Sequence, residues 1–276
     1  MPVTEYQWKS FDGRDLYALQ WPSNERPEAV VAFVHGHGDH CRRYDDWFLQ
    51  LTNRNIAVLA FDYRGHGRSQ GRNGVIRRFD DLLKDVNLLH EKAKELFPGI
   101  PVVLYGHSLG ATIVISYILR SAKRPELAIA SSPWLQLNKP PKKWFSAIIK
   151  TGNLIAPFFT LKTGLRSSDF STLNGACEKR EKDEFIHNRI SARLFSEVEK
   201  EVQWIMAHFT EIETPLLLIQ GREDLIMNAA ATRKLYDRSP GQTNYREWKH
   251  AGHQLHNSER SIEVMDFMID WIKERI

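Results

Sequence analysis

Val102–Ala111 reads VVLYGHSLGA, and this stretch decides the fold. Val102–Tyr105 is a short apolar run of strand character, and from Leu109 to Ser121 the apolar residues fall at helical spacing. Between them, Gly106-His107-Ser108-Leu109-Gly110 has the form G-x-S-x-G, placed where a strand must turn sharply into a helix. Such a turn lifts the serine hydroxyl clear of the backbone. The flanking glycines relieve the crowding, and the helix N-terminus favours negative charge developing beside it. Ser108 is therefore the candidate nucleophile, and it predicts a strand–turn–helix unit inside a layered α/β chain.

The neighbouring sequence agrees. Upstream, Glu5–Ser10, Leu16–Trp21 and Ala29–Val34 read as strands, with Asp12-Gly13 marking a hairpin between the first two. Strand-length and helix-length patterns then alternate: Ile56–Phe61, a helix over 80–97 with Leu82, Val86, Leu89 and Ala93 on one face, the nucleophile unit, and Leu127–Ala130. The alternation resumes at Leu216–Gln220 and Asn244–Lys249. It closes with a helix over 258–276 whose apolar stripe is Ile262, Met265, Ile269 and Ile272. This grammar predicts a mostly parallel sheet of about eight strands, antiparallel at its start, with helices on both faces. Between the two halves lies a stretch rich in Trp, Phe and Lys. The expected division is a core of residues 1–137 and 212–276 with a helical cap, residues 138–211, over the carboxyl edge.

A serine needs a base, and the base needs an orienting acid. In the Ser–acid–His order these sit on loops after late strands. Asp224 follows Leu216–Gln220, with Glu223 as the neighbouring alternative; His253 follows Asn244–Lys249, with His250 and His256 competing nearby. Asp224 and His253 are the candidates. Two backbone N–H groups must stabilise the oxyanion. Leu109, the residue after the nucleophile, supplies one, and His37, in the loop after the third strand, the other.

Taken together, HGHGDHCRRY (His35–Tyr44), FDYRGHGRSQG (Phe61–Gly71), GHSLG, Asp224 and HQLHN (His253–Asn257) resemble the monoacylglycerol lipase and lysophospholipase group of serine α/β-hydrolases, also labelled a serine aminopeptidase family. The resemblance covers nearly the whole chain and is weakest in the insertion. It implies an α/β-hydrolase fold and a cofactor-free ester hydrolase with Ser108, Asp224 and His253 as triad and His37 and Leu109 as oxyanion donors. The substrate would be a monoacylglycerol or lysophospholipid that yields a fatty acid. It further implies that Asp39, Arg43 and His256 hold a glycerol head. Asp39 stands where that group usually has Glu, and Ala111 where a second Gly is common.

Two other classes compete. His35-Gly36-His37-Gly38-Asp39-His40 reads H-x-H-x-D-H, a zinc-ligand run, with His107 as a further donor. A zinc hydrolase would be richer in strands and would leave the elbow, Asp224 and His253 unexplained. The other is a non-catalytic lipid-binding protein on a hydrolase scaffold, which a complete triad disfavours.

Composition narrows the setting. The 276 residues carry 38 basic and 34 acidic side chains, a weak excess that does not call for nucleic acid. That excess belongs to one segment. Lys139, Lys142, Lys143, Lys150, Lys162 and Arg166 lie within Asn138–Arg166 with no acid, and the rest of the chain holds 32 basic against 34 acidic residues. In the same segment Trp144, Ile148, Ile155 and Phe159 have roughly helical spacing, beside Phe145, Ile149 and Phe158, and Pro157 should break the helix. This predicts a small cap with its own apolar core that also meets an anionic lipid surface. No apolar run approaches the ~18 residues that cross a bilayer. The polar N-terminus MPVTEYQWKSFDGRD has no signal-peptide pattern. The two cysteines, Cys41 and Cys177, make no disulfide framework. The expected location is the cytoplasm, with peripheral contact to membrane.

Overall fold

Strands that are apolar at every position need a cover on both faces. Ala29–Val34 (β3), Ile56–Phe61 (β4) and Val102–His107 (β5) are buried along their whole length. The computed structural model describes residues 2–141, 149, 151–239 and 241–276. These strands form the centre of an eight-stranded sheet. Its other members are Thr4–Lys9 (β1), Asp15–Trp21 (β2), Leu127–Ser131 (β6), Leu216–Gly221 (β9) and Thr243–Trp248 (β10), in the order β1-β2-β4-β3-β5-β6-β9-β10. β1 pairs antiparallel with β2 and β2 antiparallel with β4; the remaining pairs are parallel. This is the mostly parallel sheet expected from the alternation, and it has the α/β-hydrolase fold that the resemblance implied.

Side chains alternate across the sheet, so each strand feeds two cores. Val30, Ala32 and Val34 face one core with Leu82, Val86, Leu89 and Ala93 of helix Phe79–Leu96 and with helix Leu109–Arg120. Ala29, Val31 and Phe33 face the other, with Trp47 and Phe48 of helix Asp45–Thr52 and Met265, Met268 and Ile272 of helix Ser261–Lys273. One expected stripe residue is misplaced. Ile262 is exposed, because it lies in the first turn of a helix that begins only at Ser261, and Val264 takes the inward position.

The inserted stretch divides physically. β6 and β9 are parallel neighbours, and such a pair requires a crossover. Helix Ala192–His208 supplies it, packed on helices Phe79–Leu96 and Leu109–Arg120. Glu201 fastens it there, accepting from Ser116 Oγ and, at 2.9 Å, from Arg120 Nε. Ahead of it are a short antiparallel pair, Thr160–Lys162 (β7) and Arg189–Ser191 (β8), a single turn Ser167–Phe170, and helix Asn174–Glu181. A helical segment over 151–155 stops before Pro157, as the missing proline donor requires. The expected apolar core of the cap is not what Ile155 and Phe159 build: they are 77% and 64% exposed, beside Leu154 at 85%. Trp144, Phe145, Ile148, Lys142, Lys143 and Lys150 lie outside the described residues. Cys41 and Cys177 are free.

Candidate active site

The loops after β3, β5, β9 and β10 meet at the carboxyl edge of the sheet, where open parallel sheets place their ligand sites. Ser108 stands there with φ 55° and ψ −118°, a conformation few side chains adopt. The flanking glycines make it reachable. A Cβ on Gly106 would lie 2.3 Å from the Gly110 carbonyl oxygen, and one on Gly110 would lie 2.1 Å from that of Val34. The turn is anchored from both sides. Ser108 N–H donates to Ser131 O at 2.9 Å, and Trp134 N–H donates to Ser108 O at 3.2 Å. Leu109 opens the helix, so its N–H has no intrahelical acceptor. Gly36 abuts Ser108, since a Cβ there would come within 3.2 Å of the serine Cβ, and this brings the His37 loop beside the hydroxyl.

The candidate acid and base are hydrogen-bonded to each other. His253 Nδ1 donates to Asp224 Oδ2 at 2.8 Å. The same oxygen accepts from Gln220 Nε2 at 3.0 Å, while Asp224 Oδ1 accepts the N–H groups of Ile226 and Met227, both at 2.8 Å. Gln220 is in turn held by Thr232 Oγ1 at 2.9 Å. The His253 carbonyl accepts from Ser132 Oγ at 2.9 Å. The Asp224 and His253 side chains are both buried. The competitors lie elsewhere: Glu223 and His250 are exposed, and Glu223 Oε1 accepts the His250 N–H at 3.0 Å.

Ser108, His253 and His37 share the wall of a cavity of about 730 Å³. Its lining is largely apolar, with Leu137, Ile149, Phe159, Leu161, Phe195 and Met227 among it, and the inserted stretch supplies much of it. Asp39, Arg43 and His256 come together but not on this wall. Asp39 Oδ1 forms an ion pair with Arg43 Nε at 3.0 Å, and Oδ2 accepts a hydrogen bond from Tyr44 OH at 3.2 Å. Burial alone would raise the Asp39 carboxyl, but Arg43 and Arg180 outweigh it and hold the carboxyl below its usual range. Burial pushes His256 down to about 3. The residue that does reach the wall is Arg180, brought in by the cap. It is buried, stacked 3.9 Å over Phe170, and its Nη1 stands 3.9 Å from Asp39 Oδ2. Sequence spacing carries no signal for it.

The H-x-H-x-D-H run does not make a metal centre among the described residues. His35 Nδ1 bonds Gly36 O at 2.8 Å, His37 Nε2 bonds Arg189 O at 3.0 Å, and His40 Nε2 bonds Asp183 Oδ2 at 2.8 Å. With Asp39 committed to Arg43, the four donors point to separate protein partners.

The profile of the family described as Serine aminopeptidase, S33 matches residues 25–260. The chain belongs to this family of serine hydrolases. Among similar proteins, a monoglyceride lipase homolog of monkeypox virus is 28% identical over 97% of this chain and 97% of its own. The monoglyceride lipase of Rattus norvegicus is 28% identical over 96% of this chain and 89% of its own. An abhydrolase domain-containing protein of Dictyostelium discoideum is 30% identical over 96% of this chain, which spans only 28% of that longer protein. The crystal structure of Paleococcus ferrophilus monoacylglycerol lipase superposes with a TM-score of 0.84 at 28% identity, covering 95% of this chain and 99% of its own.

Proposed function

We propose that this S33 hydrolase cleaves the ester of a single-chain lipid, a monoacylglycerol or lysophospholipid, by a serine acyl-enzyme mechanism. The observation that carries the reading is the cavity: an apolar enclosure of about 730 Å³ with Ser108 and His253 on its wall. An acyl chain gains about 0.8 kcal/mol per buried CH₂ in such a space, whereas a peptide backbone would need hydrogen-bond partners along its length. Ser108 Oγ attacks the ester carbonyl as His253 removes its proton. Asp224 holds the imidazole tautomer and stabilises the cation. The N–H groups of His37 and Leu109 receive the oxyanion. Its collapse expels the alcohol, protonated by His253, and water then frees the fatty acid by the same steps.

Arg180 is the head-group contact in this reading, with Asp39, Arg43 and His256 supporting it from behind. The cap boundary at residues 138–211 is proposed with it, the crossover helix serving cap and core together. We also propose a cytoplasmic enzyme that touches membrane. No helix among the described residues is long and apolar enough to cross a bilayer. The exposed Leu154, Ile155 and Phe159 with Lys139, Lys162 and Arg166 have the amphipathic chemistry of an interfacial contact.

The test is covalent labelling. A fluorophosphonate should modify Ser108 stoichiometrically and abolish hydrolysis of a monoacylglycerol, with EDTA leaving the rate unchanged. Loss of activity in chelator, restored by zinc, would replace this mechanism with a metal-dependent one.

A further inference from the structure

The inserted stretch touches the His253 loop through Phe170, and it also grips the loop that carries the His37 N–H, a contact that roofing a cavity does not require. Three residues of the insertion, His187, Asn188 and Arg189, run along the loop 36–38 that carries the His37 N–H. His187 N–H donates to Gly38 O at 3.1 Å. The His37 ring donates from Nε2 to Arg189 O at 3.0 Å. Gly38 has φ 72°, and a Cβ there would lie 2.1 Å from His187 O, so the two backbones are in direct contact. The rings interlock as well. His187 lies 5.3 Å from His37 and 4.6 Å from His66, centroid to centroid, and His37 lies 5.5 Å from His66. The far end of β8 is fastened to a second core loop. Ser191 N–H donates to Gly74 O at 2.9 Å, and a Cβ on Gly74 would meet Arg189 O at 2.0 Å.

A loop held at Gly38 and at the His37 imidazole, by a segment itself fastened to Gly74, cannot tilt independently of that segment. From this geometry, and resting on the reading of His37 as an oxyanion donor, we infer that the His187–Arg189 segment is a positioning element of the oxyanion hole. It sets the direction of the His37 N–H and leaves the serine, base and acid untouched. His187 is its central residue: its ring packs on the rings of His37 and His66 and its Nδ1 accepts the Arg189 N–H at 3.3 Å, which orients the residue whose carbonyl holds His37, while its backbone N–H holds the Gly38 carbonyl. The cap and the chemistry are then one mechanical unit. A displacement of the cap from Gly38 and Gly74 withdraws an oxyanion donor even when the triad is intact.

Differential stabilisation gives a signature that simple loss of structure does not. An oxyanion donor acts on the tetrahedral state and not on the bound ester. His187→Ala should lower kcat by about 10- to 100-fold, within the cost of a fully deleted donor, and leave KM within about twofold. Affinity for a trifluoromethyl ketone bearing the substrate's acyl chain, which forms the tetrahedral adduct, should fall in proportion to kcat. His187→Gln keeps a side-chain acceptor for the Arg189 N–H and should recover part of the loss; it carries the same measurements if the alanine variant fails to fold. A double-mutant cycle of His187→Ala with His37→Ala should be strongly non-additive, because the two rings serve one function. Unchanged kcat in a folded His187 variant would overturn the inference. So would a fall in kcat without a matching loss of trifluoromethyl ketone affinity. Failure of the fluorophosphonate to label Ser108 in the unaltered protein would instead overturn the reading of the site on which this one rests.

Discussion

Asp224 accepts two hydrogen bonds at each carboxylate oxygen, and only one of the four comes from His253. The backbone N–H pair from Ile226 and Met227 fixes the carboxyl plane, so the remaining lone pair is aimed at the imidazole. Asp224→Asn would keep Oδ1 on the two N–H groups and place an NH₂ against His253, favouring the wrong tautomer. The expected outcome in steady-state kinetics is an intact fold with kcat reduced by about 10⁴. Glu223→Gln, on an exposed side chain, should be nearly silent; the reverse ranking would move the acid to Glu223. Arg180 belongs to the same scale. Arg180→Gln should raise KM for a glyceryl ester more than for a p-nitrophenyl ester of the same acyl chain, and an equal change on both would make the guanidinium a packing group only. Ser108, Asp224 and His253 stood out as candidates in the sequence because each lies on a short loop directly after a strand, and the structure brings Asp224 and His253 into hydrogen-bond contact. Arg180, Gln220 and His187 did not stand out. Arg180 reaches Asp39 and His187 reaches Gly38 across the fold, and Gln220 looks like any other strand residue until Asp224 is seen beside it.

At the level of elements, uniform burial made for legible boundaries. Ala29–Val34 and Ile56–Phe61 end where their apolar runs end, whereas β1 and β10, half-exposed at the sheet edges, begin one residue earlier than their patterns suggest. The helices Asp45–Thr52 and Ala229–Tyr236 carried too short a pattern to read. The cap was the least legible element, because three-residue strands and a four-residue turn have no period to detect. Its exposed apolar residues nevertheless make a definite prediction. Binding to anionic vesicles should weaken as salt rises, since exposed charges are screened over about 10 Å at 0.1 M. Leu154→Asp/Ile155→Asp and Lys139/Lys142/Lys143→Glu variants should each bind less while hydrolysing a soluble short-chain ester normally. Cosedimentation that is absent at low salt, or the same in all three proteins, would leave the cap as a roof alone.

Across the whole molecule, histidine is the titratable residue most consistently buried. Burial holds His37 and His256 at about 3 and His90 and His187 at about 4, and it pushes His35, His66 and His107 down as well. An exposed histidine titrates near 6.5. Between that value and the lowered ones, the unfolded chain takes up protons that the folded chain refuses, so acid favours unfolding. The stability these groups allow is fully present above about pH 6.5 and declines as pH falls toward 3–4. Asp39, with its carboxyl held low by Arg43 and Arg180, adds a second loss only at still lower pH. A thermal unfolding series at constant ionic strength should show Tm level from pH 8 to 7 and falling steadily below 6.5. A Tm that stayed level to pH 5 would mean that these rings open to solvent and protonate without unfolding.

The root of the insertion has one more consequence. Leu137 bridges to Met227, Asn138 N–H donates to Ile226 O at 2.8 Å, and Asn228 N–H donates to Gln136 O at 2.8 Å. The segment that leaves the sheet is thereby stitched to the loop that presents Asp224. Chimaeras become possible on a simple rule. A donor cap spliced between the stitched root and the His187–Ser191 return inherits the recipient's chemistry, whereas a graft cut closer to β6 carries away the brace of the acid loop. Such a graft should change the acyl preference and spare hydrolysis of a short-chain ester only when residues 136–138 and 187–191 are kept as the joints.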